Sequence, residues 1–261
     1  MPHADVNGQR IWFEDSGGDG PPVLFAHGFL MDSTMWEHQV AALGGDFRCI
    51  AYDERGWGRT EFDGKPFDYW DLADDAVGLL DHLGIERAAL VGMSQGGFLG
   101  LRAALRHPDR VAALVLVDSQ AGTETPDNVA AYTGMLDDWK ANGPANVGQI
   151  VSGLIIGDPA IEPAWREKWA ARDPKLIEQP GACLLGRDDV TDRLGEIACP
   201  VLVIHGTADQ AIPMDKARQV CDAVQDCRGL VEVEGAAHAP NLTHPDQVNP
   251  PLREFLQSVL A

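Results

Sequence analysis

Short hydrophobic runs alternate along this chain with longer segments in which apolar residues recur every three or four positions. A run without polar alternation is typical of a strand buried on both faces, whereas the longer spacing is typical of an amphipathic helix. The runs lie at residues 23–26, 47–52, 88–91, 111–117, 200–205 and 229–233, and the helical segments at 34–43, 72–83, 95–106 and 251–260. This order predicts an α/β fold with a mainly parallel sheet between helices.

The beginning of the chain departs from this alternation. Residues 3–6 and 9–14 have strand character and flank Asn7-Gly8, a dipeptide that favours a two-residue hairpin turn. We therefore expect the chain to begin with an antiparallel hairpin.

A second departure follows Ser119. From residue 120 to residue 193 the sequence is polar and helical in character, and strand character returns only at residue 200. A structureless loop of this length is uncommon in a compact domain. We therefore expect residues 1–119 and 194–261 to form the core and residues 120–193 to form an inserted helical segment.

The composition restricts the partners of the protein. Of the 261 residues, 45% are hydrophobic, and 40 Asp and Glu against 20 Lys and Arg give a net charge of −20. An acidic surface repels phosphate backbones and anionic lipids, so we expect no nucleic-acid and no membrane partner. The first 16 residues lack the apolar core of a secretion signal, and no apolar stretch is long enough to cross a bilayer. These features predict a cytoplasmic protein.

The cysteines give little support for covalent or metal cross-links. The chain has five of them, at positions 49, 183, 199, 221 and 227. An odd number without Cys-x-x-Cys spacing argues against a disulfide framework and against a zinc site. Cys221 and Cys227 can pair only if the turn between them brings them together, and we expect them to stay unpaired.

The sharpest motif is Gly-Met-Ser-Gln-Gly at residues 92–96, which places Ser94 between a predicted strand and a predicted helix. Chance would produce about 0.07 matches to Gly-x-Ser-x-Gly in a chain with 28 Gly and 6 Ser. A strand that turns at once into a helix is crowded, and glycines beside the serine permit the close backbone approach. The hydroxyl then lies at the carboxyl end of the strand, beside a helix N-terminus that favours negative charge. The context favours a nucleophile at Ser94 over a plain glycine-rich turn.

A serine nucleophile needs a base within hydrogen-bond reach and an acid that orients the base. Of the eight histidines, His238 lies in a loop directly after the last predicted strand, and we predict that it is the base. Asp209 follows the strand at 200–205 and is the predicted acid, with Asp118, which also ends a strand, as the alternative. His205 ends a strand as well and is expected to pack in the core.

An oxyanion hole requires two backbone N–H groups directed at the tetrahedral oxygen. Gln95 follows the predicted nucleophile, and Phe29 follows His27-Gly28 at the end of an early strand. We predict that the N–H groups of Phe29 and Gln95 form the hole. Chemistry of this kind requires neither a metal nor an organic cofactor.

These residues together resemble the α/β-hydrolase family over nearly the whole chain. The order Ser94, Asp209, His238 is that of the family, and residues 27–29 are similar to its oxyanion loop. The resemblance implies an eight-stranded, mostly parallel sheet flanked by helices, with an antiparallel second strand. It also implies that residues 120–193 form a helical cap over the active site.

Residues 53–58, Asp-Glu-Arg-Gly-Trp-Gly, are similar to a structural turn of the same family. We expect Arg55 to brace Asp53 within this turn.

Within the family the chain is most similar to carboxylesterases, 3-oxoadipate enol-lactonases and cofactor-free haloperoxidases, which are perhydrolases. Haloalkane dehalogenases and epoxide hydrolases of this fold use aspartate where Ser94 stands, so their chemistry is disfavoured. We expect hydrolysis of small or medium carboxylic esters through an acyl-enzyme. A lactonase, a perhydrolase, a C–C or nitrile lyase and a slow-hydrolysing ligand receptor share the same catalytic residues and stay open as alternatives.

The expected partner is therefore a small-molecule ester or lactone, and an exposed cap face could mediate a homodimer. The apolar side chains of the cap make an apolar pocket plausible, although such helical residues more often serve packing; they are Met135, Trp139, Leu154, Ile155, Ile156, Trp165 and Trp169. Few cationic residues lie among them, which favours a neutral ester, while Arg166, Lys168 and Arg172 leave an anionic substrate open.

Overall fold

The computed structural model describes residues 3–260 and contains one eight-stranded sheet covered by helices. Its strands are β1 (His3–Val6), β2 (Gln9–Asp15), β3 (Pro22–Ala26), β4 (Arg48–Tyr52), β5 (Ala88–Met93), β6 (Val111–Val117), β7 (Val201–Gly206) and β8 (Cys227–Val233). Their order across the sheet is β1-β2-β4-β3-β5-β6-β7-β8. Strand β2 is antiparallel to both neighbours, and all other neighbouring pairs are parallel. This topology confirms the predicted fold class.

Ten α-helices lie in the described part of the chain. They are α1 (Glu37–Leu43), α2 (Tyr69–His82), α3 (Gln95–Arg106), α4 (Pro126–Asn142), α5 (Gly148–Ile155), α6 (Glu162–Ala170), α7 (Glu178–Leu185), α8 (Met214–Ala223), α9 (Pro240–Thr243) and α10 (Pro245–Leu260). None of the described helices has the length and apolar character needed to cross a bilayer.

The N-terminal hairpin forms at the predicted dipeptide. Asn7 and Gly8 have φ values of 47° and 78°, which are the left-handed conformations that a tight two-residue hairpin turn requires. Val6 is then paired with Gln9 across the turn.

Both faces of the central strands β5, β6 and β7 are buried, which explains their unbroken hydrophobic runs. In β6, Leu114 and Leu116 pack into a core on the side of α2, α3 and α8, whereas Val115 and Val117 pack into a core on the side of α1 and α10. Because successive side chains of a strand point to opposite faces, a strand covered on both sides needs an apolar residue at every position.

The segment between β6 and β7 contains α4, α5, α6 and α7. It approaches the carboxyl ends of the central strands, because Met135 of α4 and Ile155 of α5 line one cavity together with Phe29 after β3 and Ser94 after β5. The helical segment therefore covers the edge of the sheet where strand-end residues meet.

The last helix is longer than its predicted range of 251–260. It begins at Pro245 and continues through Pro250 and Pro251, although an internal proline removes a helical hydrogen bond. Its apolar residues Val248, Leu252, Phe255 and Leu256 are buried at helical spacing, and this burial stabilises the helix across the prolines. The two prolines obscured the start of the helix in the sequence.

The expectation of unpaired cysteines is wrong at one pair. Cys221 near the end of α8 and Cys227 at the start of β8 form a disulfide with their Cα atoms 5.3 Å apart. The short turn between the two elements brings the Cα atoms within the range that a disulfide spans. Cys49, Cys183 and Cys199 are free and buried.

We expect thiol titration of the denatured, unreduced protein to detect three thiols per chain, and five after reduction, because two cysteines are paired. The variant Cys221→Ser should show four thiols in both conditions, since it frees Cys227. Five thiols in the unreduced wild-type protein would contradict the pairing.

Candidate active site

Ser94 lies in a strained turn between β5 and α3. Its φ of 50° is in a region that residues other than glycine rarely occupy. Its N–H donates to Val117 O (2.8 Å), and its carbonyl accepts from the Ser119 hydroxyl (2.8 Å) and from Gly97 N–H (2.9 Å). These bonds to the end of β6 and to the first turn of α3 hold the strained backbone in place.

The glycines of the motif are required by close approach. A Cβ on Gly92 would overlap the carbonyl group of Gly96, and a Cβ on Gly96 would overlap the carbonyl group of Ala26 in β3. Glycine at these positions therefore lets α3 begin directly against the ends of β3 and β5.

His238 and Asp209 form a hydrogen-bonded pair next to this turn. Nδ1 of His238, in the loop after β8, donates to Oδ2 of Asp209 at 2.7 Å. The other carboxylate oxygen of Asp209 accepts from the N–H groups of Ala211 (2.8 Å) and Ile212 (3.1 Å). Burial favours a raised pKa for Asp209, but the neighbouring His238 and these hydrogen bonds hold the pKa below its ordinary value. The ionised carboxylate thus keeps the proton of His238 on Nδ1 and leaves Nε2 as an acceptor.

Ser94 and His238 line the same cavity, whose volume is about 130 Å³. Within residues 3–260, Ser94 Oγ makes no hydrogen bond to His238. Such catalytic hydrogen bonds are often long without substrate and tighten when substrate binds.

The two N–H groups predicted for the oxyanion hole are unpaired. Among the described residues, neither Phe29 N–H nor Gln95 N–H donates to a protein acceptor. His27 holds the loop that carries Phe29: its Nε2 accepts from Glu54 N–H at 3.0 Å, and its Nδ1–H donates to Gly28 O at 2.8 Å. Burial lowers the pKa of His27, which keeps the ring neutral as this pattern requires.

The side chain of Gln95 forms a buried polar link that sequence reasoning missed. Its amide Nε2 donates to Glu54 Oε2 at 2.5 Å, and its Oε1 accepts from Tyr69 Oη at 3.3 Å. Burial raises the pKa of Glu54 well above its usual value, although the hydrogen bond from Gln95 opposes this effect. The link fixes the first residue of α3 against the loop that follows β4.

The expected brace at residues 53–58 is formed by a different arginine. Asp53 accepts from the N–H of Ser33 (2.8 Å) and from the N–H and Nε of Arg59 (2.7 and 3.0 Å). Arg55 instead forms a buried ion pair with Asp75 of α2 at 2.6 Å. Proximity in sequence suggested that Arg55 binds Asp53. In the structure Arg55 binds Asp75 of α2 instead, and Arg59 binds Asp53.

The cavity wall is mostly apolar. Its lining residues are Phe29, Leu30, Met93, Ser94, Phe98, Glu124, Tyr132, Met135, Val151, Leu154, Ile155, Leu184, Gln210, Ala211, Ile212 and His238. Of the cap residues proposed from sequence, Met135, Leu154 and Ile155 reach it, whereas the three tryptophans do not line it and are buried in packing contacts.

One carboxylate of the cavity wall was not predicted. Glu124 lines the cavity and pairs with the buried Arg187 at 2.7 Å. Arg187 lies behind the wall, where it donates to Gly122 O and Leu184 O. Nothing in the local sequence marked this pair, because it joins the segment before α4 to the segment after α7.

The three cationic residues considered for an anionic substrate lie elsewhere. Arg166 pairs with Glu162, Lys168 pairs with Asp32, and Arg172 donates to Gly56 O. Among the residues that line the cavity, the Asp, Glu, Lys or Arg side chain is Glu124.

Asp118, Asp209 and His238 are the residues closest to a metal-ligand arrangement, because single donor atoms of the three lie within 4.8 Å of one another. However, His238 Nδ1 and both oxygens of Asp209 already have hydrogen-bond partners. These donors do not fit a metal, since binding would break the pair between His238 and Asp209.

Comparisons with known proteins agree with the fold. A family model described as alpha/beta hydrolase fold matches residues 21–245. The chain is 30% identical to a non-heme chloroperoxidase of Streptomyces lividans, over 97% of this chain and 98% of the relative. It is similar to the structure of an esterase from Thermogutta terrifontis, with a TM-score of 0.91, 27% identity and coverage of 99% and 98% of the two chains. It is also similar to the structure of an enol-lactonase from Burkholderia xenovorans LB400, with a TM-score of 0.90, 28% identity and coverage of 98% and 100%.

We expect Gly92→Ala to lower the free energy of unfolding by about 2 kcal/mol or more, because the added Cβ overlaps the Gly96 carbonyl group. Gly134→Ala is the matched control, since Gly134 lies in α4 with open space around it and the change should stabilise the protein by about 0.5–1 kcal/mol. Urea denaturation measures both changes. Equal midpoints for the two variants would refute the close approach at Gly92.

Proposed function

The chain belongs to the α/β hydrolase fold family, and we propose that it is a serine esterase that cleaves carboxylic esters through an acyl-enzyme on Ser94. The observation that carries this proposal is the convergence of three side chains and two N–H groups at one cavity. Ser94 and His238 line it, Asp209 binds the far side of His238, and the unpaired N–H groups of Phe29 and Gln95 belong to the residues beside it.

In the proposed first half-reaction, Ser94 Oγ attacks the ester carbonyl carbon while His238 Nε2 takes the hydroxyl proton. The carbonyl oxygen becomes an oxyanion and accepts hydrogen bonds from Phe29 N–H and Gln95 N–H. His238 then gives its proton to the leaving alcohol oxygen, and the C–O bond breaks. Asp209 stays ionised and stabilises the imidazolium.

In the second half-reaction, water attacks the acyl-enzyme with His238 again as the base, and Ser94 leaves with the proton. Residues 120–193 act as a cap that restricts water and supplies the apolar wall around the substrate. The identity to a chloroperoxidase favours perhydrolysis as a second candidate function, in which hydrogen peroxide replaces water and releases a peracid.

The wall of the cavity favours an uncharged substrate. Its apolar side chains accommodate an acyl or alcohol group, and its one acid, Glu124, is already paired with the buried Arg187 behind the wall, so the described residues of the wall offer a substrate carboxylate no free cation. A substrate that carries a carboxylate would lose water in this apolar cavity without gaining an unpaired cation. This distribution of charge favours a neutral ester over a lactone with a free carboxylate.

We expect wild-type protein to release p-nitrophenol from the acetate and butyrate esters, and Ser94→Ala to lower kcat by at least about 10³-fold, because the nucleophile is removed. Ser258→Ala in α10 is the control and should keep wild-type turnover. Equal turnover of Ser94→Ala and wild type would exclude Ser94 as the nucleophile. Absence of turnover in the folded wild-type protein would contradict the esterase proposal and favour a lyase or a ligand receptor.

We expect kcat/KM for p-nitrophenyl butyrate to exceed that for mono-p-nitrophenyl succinate by about tenfold or more, or about 1.4 kcal/mol, because the succinate carboxylate is desolvated while Glu124 occupies Arg187. Glu124→Gln should reduce this ratio, because it removes the acid and leaves Arg187 as the nearest charge. The ratio within one variant does not depend on the fraction of active protein. A ratio near one in the wild type, or a ratio unchanged by Glu124→Gln, would refute the proposed role of Glu124.

A further inference from the structure

Asp118 occupies an unusual position beside the proposed catalytic residues. It directly follows β6, has a φ of 43° and is fully buried. Its N–H donates to Ile204 O of β7 at 2.9 Å, and its Oδ1 accepts from Gly206 N–H at 2.9 Å. The backbone and one carboxyl oxygen are therefore fixed to the end of the neighbouring strand.

The second oxygen of Asp118, Oδ2, has no hydrogen-bond partner if Asp118 and Asp209 are both ionised and can only accept. One oxygen of Asp118, one oxygen of Asp209 and a ring nitrogen of His238 lie within 4.8 Å of one another. Two carboxyl groups this close in a buried site cannot both be ionised, because the repulsion and the desolvation both oppose the second charge.

The donors around the two acids decide which one holds the proton. Asp209 accepts from His238 Nδ1–H and from two backbone N–H groups, whereas Asp118 accepts only from Gly206 N–H. Three donors stabilise a carboxylate far better than one. Asp209 is therefore the ionised member of the pair, and the proton belongs on Asp118.

The other titratable groups near Asp118 do not change this assignment. His205 of β7 places Nδ1 at 3.8 Å from Asp118, but its Nε2–H donates to Ile212 O and burial lowers its pKa, so the ring supplies no positive charge. His238 directs its Nδ1–H to Asp209. Burial and the charge of Asp209 raise the pKa of Asp118 well above its usual value, in agreement with the geometry.

We propose that Asp118 is a neutral carboxylic acid whose O–H donates to Asp209, and that it is a positioning residue for the pair of Asp209 and His238. The hydrogen bond fixes the rotation of the Asp209 carboxylate, so that Oδ2 stays directed at His238. The role in catalysis rests on the proposed ester hydrolysis, whereas the protonation state does not.

The test compares the same substitution at the two acids. Asn is isosteric with a neutral Asp, keeps one oxygen for Gly206 N–H, offers an N–H to Asp209 and tolerates a positive φ. We expect Asp118→Asn to keep kcat/KM within about threefold of wild type, because each hydrogen bond is replaced. Asp209→Asn should lower kcat by about 10⁴-fold, because it removes the charge that orients His238.

Two further measurements distinguish a positioning role of Asp118 from a role in packing alone. Asp118→Ala removes the hydrogen bond to a charged acceptor and should lower kcat by about 10- to 100-fold. Asp118→Asn should leave the acid side of the pH profile of kcat/KM unchanged, since it removes no charge. Thermal unfolding shows whether Asp118→Ala is folded. If Asp118→Ala is unfolded, Asp118→Asn still tests the proposal.

Infrared spectroscopy tests the protonation without enzyme activity. The difference spectrum of wild type minus Asp118→Asn at pH 7 should contain the C=O band of a protonated carboxyl, whereas wild type minus Asp209→Asn should contain carboxylate bands. Glu54→Gln identifies the separate contribution of the buried Glu54 carboxyl. If Asp118 is ionised, the C=O band of a protonated carboxyl is absent from the difference spectrum of wild type minus Asp118→Asn. Asp118→Asn would then also lose activity and shift the acid side of its pH profile to lower pH. Either result overturns the proposal. A protein with the carboxyl band but no esterase activity would refute the proposed function alone.

Discussion

The geometry of the site depends on the strained backbone of Ser94. A residue with a side chain at φ 50° is unfavourable by itself and persists only when its surroundings hold it. Here the surroundings are the end of β6, which binds both Ser94 N–H and Ser94 O, and the glycines that allow α3 to start against β3. The same turn displays the hydroxyl to the cavity and leaves the N–H of Gln95 unpaired. A single local conformation thus sets two of the groups on which the proposed mechanism depends.

The polar groups around this turn are held with few buried charges. His27 is neutral and bridges Gly28 O and Glu54 N–H, while the buried carboxyl of Glu54 accepts from Gln95 Nε2. Asp209 is ionised because His238 and two backbone N–H groups stabilise its charge, and the proposed proton on Asp118 avoids a second negative charge beside it. The groups named here therefore each have a partner or a proton, which limits the electrostatic cost of a preorganised site.

The helices between β6 and β7 contribute in two different ways. Apolar side chains of α4 and α5 form part of the cavity wall, so these helices determine the shape and polarity of the space above Ser94. The tryptophans of α4 and α6 pack instead against each other, and Trp169 Nε1 donates to Leu30 O at 2.7 Å, next to Phe29. This contact connects the helices between β6 and β7 to the loop of the proposed oxyanion hole. The same segment therefore contacts both the cavity and the loop that carries Phe29.

The sequence determined the elements and the local features of the site. Continuous hydrophobic runs fixed the buried strands, Asn7-Gly8 fixed the hairpin, and the Gly-x-Ser-x-Gly context located Ser94, because periodicity and backbone sterics act over a few residues. Tertiary structure decided which distant side chains meet. His238 binds Asp209 rather than Asp118, and Asp53 binds Arg59 rather than Arg55. Cys221 pairs with Cys227. Glu124 lines the cavity, whereas the tryptophans do not. These outcomes depend on how strand ends and connecting loops are arranged in space, and that arrangement arises only when the whole sheet and its helices are packed.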